Sequence, residues 1–198
     1  MAFGSPFILT AEVDQGPGLY QDQYTSGFTT YPLPNGARNP LGSRWCYKDS
    51  KGRMVIIAYV RLNTTAPPVS LLVGPVWWKD NTFTVVTAAA NDASGWGVAA
   101  PNLTAGILLN TSWVNGNFGW IITAGYCGAG SDTNWGAPIA APANTAIGDG
   151  VVGGTSGNQS VVRAAAGSPT YKQLYTALTA VANNTSDGIV TCEWFGNN

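Results

Sequence analysis

A mainly β fold is predicted for this chain: an antiparallel sandwich or barrel-like domain over residues 41–198, preceded by an extended N-terminal arm over residues 1–40. Three observations predict it. Short β-branched and aromatic runs recur between turn signals along most of the chain. Glycine occupies 25 of 198 positions and proline 12, which for glycine is about 13% against a usual ~7%. Only one segment offers a helical period. With 45% hydrophobic residues, a chain of this length buries a core as one domain without metals or disulfides.

The arm comes first. Gly16-Pro17-Gly18, Pro32, Pro34, Asn35-Gly36 and Asn39-Pro40 deny it regular structure. Yet Phe3, Phe7, Ile8, Leu9, Tyr20, Tyr24, Phe28 and Tyr31 make it too apolar for a freely solvated tail. Such a segment should lie on something, either its own domain or another subunit. On the second reading Phe3, Phe7, Tyr20, Tyr24, Phe28 and Tyr31 are the partner-binding residues.

From residue 41 the chain reads as strand and turn. The polar stretch Lys48-Asp49-Ser50-Lys51-Gly52-Arg53 separates Trp45-Cys46-Tyr47 from Met54–Val60, a hairpin leading into a buried strand. Val69–Trp78 and Thr82–Thr87 repeat the pattern across Lys79-Asp80-Asn81. Gly106–Asn110 and Gly119–Ala124 flank Val114-Asn115-Gly116-Asn117, whose Asn-Gly pair tolerates positive φ. Ala137–Gly157 is too rich in Ala, Pro and Gly to hold a helix. Ser168-Pro169 followed by Tyr171, Leu174, Tyr175, Leu178 and Val181 has a helical period and a cap, but residues 174–181 satisfy a strand equally well. Ile189–Phe195 closes the chain as a last strand.

Catalytic machinery is not expected. The chain has no histidine, which removes Ser-His-Asp and Cys-His systems and His-dependent zinc sites. Cys46, Cys127 and Cys192 are odd in number and widely spaced, so they read as buried free thiols rather than a disulfide framework. Glu12 and Asp14 would share a face if extended, yet they sit beside Gly16-Pro17-Gly18 and read as turn or cap residues. Gly148-Asp149-Gly150-Val151-Val152-Gly153 matches the dinucleotide-binding pattern by letter, but no strand precedes it and no helix follows to receive a pyrophosphate. Asp132-Thr133-Asn134-Trp135-Gly136 resembles the start of a calcium loop, with Ala143 where the distal Glu is required. No cofactor and no metal is expected, and the chain is read as a non-enzyme.

Charge and hydropathy bound the partners. Charged residues are 10% of the chain and the formal net charge is −1, against about 25% charged in an ordinary soluble protein. A surface covered by Ser, Thr, Asn, Gln and Gly suits lasting contact with a neighbour, and a homo-oligomer is expected. Nothing resembles a basic face for nucleic acid. No run approaches the ~18 apolar residues of a membrane span, and the start lacks the basic and apolar regions of a secretory signal. Eight tryptophans raise a rival idea, since rings such as Trp77, Trp78, Trp96, Trp113, Trp120 and Trp135 could stack on sugars in a carbohydrate-binding module. Adjacent Trp77 and Trp78 should point to opposite faces of their strand.

Pro40-Leu41-Gly42-Ser43-Arg44, the turn Asp49-Ser50-Lys51-Gly52-Arg53 and the strand end Ala58-Tyr59-Val60 form one spaced block. Ala105-Gly106-Ile107-Leu108-Leu109 with Asn117-Phe118-Gly119-Trp120-Ile121-Ile122-Thr123-Ala124-Gly125 forms a second. Ala146-Ile147-Gly148-Asp149-Gly150-Val151-Val152 and Asp187-Gly188-Ile189-Val190-Thr191-Cys192 follow. Over residues 40 to 198 this spacing of turns and aromatics resembles the accessory capsid proteins of tailed bacteriophages. It departs from them in the Asn/Gly-rich insert at 128–136 and in the aromatic arm. The resemblance implies a cement or decoration protein, made in the host cytoplasm and sited on the virion, which bridges subunits of the major capsid protein. A tail or fibre component is the neighbouring alternative.

Overall fold

The computed structural model describes residues 40–48, 51–63, 73–80, 82–87, 104–108, 116, 118–128, 138–153, 161–164 and 173–192. These residues contain twelve strands and no helix. The strands are β1 (Arg44–Lys48), β2 (Met54–Leu62), β3 (Gly74–Trp78), β4 (Thr84–Val86), β5 (Thr104–Leu108) and β6 (Phe118–Cys127). After them come β7 (Ile139–Ala140), β8 (Gly150–Gly153), β9 (Val161–Arg163), β10 (Tyr175–Ala177), β11 (Thr185–Ser186) and β12 (Gly188–Thr191).

The architecture rests on the antiparallel pair β2–β6, which runs from Val55↔Gly125 to Arg61↔Phe118. Both strands are apolar at almost every position, the signature of a strand buried on both faces. At one end of the pair β4 joins β2 in parallel at Arg61↔Thr84, β3 joins β4, β5 joins β3, and β5 returns to β6 at Ile107↔Ile122. That circuit closes a five-stranded barrel. At the other end β1 pairs with β2, while β12, β10, β8 and β9 extend outward from β6. The result is an antiparallel sheet in the order β1-β2-β6-β12-β10-β8-β9 that shares its two longest strands with the barrel.

Two cores follow from the two-residue alternation along the shared strands. Ala58, Val60 and Leu62 of β2 point into the barrel with Val76, Trp78, Val85, Leu108 and Ile121. Val55, Ile57 and Tyr59 point the other way, with Trp120 and Ile122, toward Val151, Tyr175 and Val190 of the outer strands. Tyr59 packs edge-on to Trp120, ring centroids 5.0 Å apart. A bulge between Ile56 and Ile57 lets the pair change from the barrel to the open sheet. Gly125 sits there with φ +102, so close to the Met54 carbonyl that no side chain fits.

The hairpins expected around residues 48–53 and 79–81 are present as β1–β2 and β3–β4. Gly116 adopts φ +83, as its Asn-Gly pair predicts. Residues 175–177 resolve the helix-or-strand alternative in favour of a strand. Asn183 and Asn184 both have positive φ and form a tight hairpin closed by two hydrogen bonds between Ala182 and Thr185. Trp78 lies in the barrel core and Trp77 on the opposite face beside Val86, as the alternation requires.

Candidate functional site

Phe3, Phe7, Tyr20, Tyr24, Phe28 and Tyr31 lie outside the described residues, as do Glu12, Asp14 and the segment 129–137. The point where the arm meets the domain is described. The Gly42 N–H donates to the Tyr59 carbonyl at 2.8 Å, and the Tyr59 N–H donates to the Ser43 carbonyl at 2.9 Å. Ser43 closes a turn by donating both its N–H and its hydroxyl to the Pro40 carbonyl. Leu41 packs on the outer core. Residues 40–43 are thus stitched to the middle of β2, in the gap between β1 and β4 on that strand's edge. Beside them, burial lowers the Arg44 guanidinium to about 10, which leaves it charged at neutral pH.

The second feature is the face of the long sheet turned away from the outer core. Register places Met54 and Ile56 of β2, Tyr126 of β6 and Ile189 of β12 on it. Met54 is 55% exposed, and Ile56, Tyr126 and Ile189 are half-buried. The residues of opposite parity, Val55, Cys127 and Val190, are buried. Near the middle of this face the Arg53 guanidinium lies 3.7 Å over the Tyr126 ring, a cation–π contact. The Tyr126 hydroxyl donates to the Asp187 carboxylate at 3.0 Å. Burial first, and then the Asp187 carboxylate, push the Tyr126 hydroxyl above its ordinary range, while Arg53 pulls it back. Gly128 leaves the room Asp187 occupies.

Elsewhere the polar groups hold the fold together. Tyr175 donates to the Ala140 carbonyl at 2.9 Å and accepts from Ser186 at 3.2 Å, tying β10 to the small sheet of β7 and β11. Burial pushes its hydroxyl up to about 12. In the Gly148-Asp149-Gly150 motif, Asp149 accepts from the Ala146 N–H at 2.7 Å and pairs with Arg163 at 2.8 Å. These contacts, the Ala146 hydrogen bond first, hold its carboxyl below the ordinary value. The motif is a turn with Gly148 at φ +87 that opens into β8, and it presents no helix N-terminus to a phosphate.

None of the three cysteines is in a disulfide. Cys127 is buried, and burial pushes the Cys192 thiol far up. The expectation of buried thiols is corrected at Cys46, which is exposed because it sits on β1 at the rim of the sheet. Trp77, Trp78 and Trp120 are all buried, so they offer no platform to a sugar, and Trp96, Trp113 and Trp135 lie outside the described residues. Among the described residues no group of three or more His, Cys, Asp and Glu is placed to hold a metal. The Arg53–Tyr126–Asp187 cluster escaped the sequence because its members come from three strands or strand ends, with Tyr126 and Asp187 separated by 61 residues. Comparison with protein-family models, curated proteins and solved structures found no match.

Proposed function

We propose that this protein is a structural virion component that decorates and stabilises a phage capsid by bridging subunits of the major capsid protein. The observation that carries the reading is the surface itself. On the outer face of the long sheet Met54, Leu178 and Val162 are exposed where a solvated sheet face is ordinarily polar, and the whole chain bears only nine cations and ten anions. Lasting assembly favours such a surface, because docking it desolvates few charges. The two-core scaffold adds stiffness, with β2 and β6 buried on both faces.

The arm supplies the second contact in this reading. Its root at Pro40–Ser43 is fixed on β2, and in this reading the arm adds as a strand to a neighbouring sheet edge. A gel of purified virions tests the proposal. Stoichiometry comparable to the major capsid protein supports a shell role. A few copies per particle assign the protein to the tail, and absence from the particle refutes both.

A further inference from the structure

We draw no further inference here: the strongest candidate, the uncharged surface patch where the loop 142–148 is hydrogen-bonded to residues 177–181 and leaves Ile147 and Leu178 exposed, carries nothing because nothing in the structure shows what covers it.

Discussion

The Phe83 ring lies against the backbone of Gly42, with Cε2 and Cζ 2.6 Å from the position a β-carbon on Gly42 would occupy. Gly42 also has φ +84. Two independent reasons therefore exclude a side chain at the junction where the arm's root, β1 and β4 share the edge of β2. Gly42→Ala should destabilise the fold by about 2–3 kcal/mol, combining a left-handed backbone penalty of ~1–2 kcal/mol with the steric displacement of Phe83. Chemical denaturation measures it. In a Phe83→Ala background the same substitution should cost less, leaving chiefly the backbone part. Equal costs in both backgrounds would show that the ring contact does not matter.

Ile121 is wholly buried in the barrel, facing Ala58, Val60 and Leu108. Ile121→Asp places an unpaired carboxylate there, and more than about 4 kcal/mol should be lost. The variant should be unfolded by circular dichroism and by tryptophan emission. A folded variant would mean that the barrel interior admits water.

Tyr175 sets the alkaline limit. Its hydroxyl ionises at about 12 in the fold against 10.0 as the ordinary value, so above pH ~10 the unfolded chain gives up its proton while the native chain holds it. The unfolded state then binds fewer protons, and stability falls as pH rises through this window, by of order 2 kcal/mol when complete. Tyr126 and Cys192 shift in the same direction and add to the fall. Tyr175→Phe should lower stability at pH 7 by roughly 1–2 kcal/mol through the Ser186 and Ala140 hydrogen bonds it removes, and should flatten the decline between pH 10 and 12. Denaturation midpoints across pH 8–12 decide it.

The thiols report the same packing. Cys46 is exposed, whereas Cys127 is buried and Cys192 is held as a thiol by its surroundings. A thiol reagent should modify Cys46 alone in the native chain and all three cysteines after denaturation. Fast native modification of Cys127 would contradict the outer core as described.

Legibility in the sequence tracked how local each signal was. The hairpins β1–β2 and β3–β4 were readable because a polar turn separates their β-branched halves. The parallel contact Arg61↔Thr84 that closes the barrel was not, since a strand apolar on both faces carries no mark of which neighbour lies on which edge. Strands β7 and β11 have two residues each, too few to show a period. The outer face was half visible: Met54-Val55-Ile56-Ile57 is apolar at both parities, which reads as full burial unless the register reveals that Met54 faces solvent. Asp187 opens the Asp187–Cys192 block that the sequence did mark, but its partner Tyr126 lies in a strand that pairs with it only after folding.

The last prediction concerns the arm. The hydrogen bonds that fix its root begin at Pro40, and Leu41 is the first side chain that packs on the outer core among the described residues. A chain that starts at Asn39 keeps every one of those contacts, so it should stay folded with a denaturation midpoint close to that of the full protein. Under the proposed capsid role it should lose most of its affinity for capsids. Ordering the arm costs ~1–2 kcal/mol per residue fixed, and each docked aromatic returns roughly 1.5–3 kcal/mol. Phe3, Phe7, Tyr20, Tyr24, Phe28 and Tyr31 can therefore order only part of the segment by burial alone, and in the proposed role backbone pairing with a neighbour's sheet edge supplies the rest. Binding of the truncated and full chains to capsids stripped of this protein measures the difference. Equal binding moves the contact onto the domain itself, and unfolding of the truncated chain makes the arm part of the protein's own core.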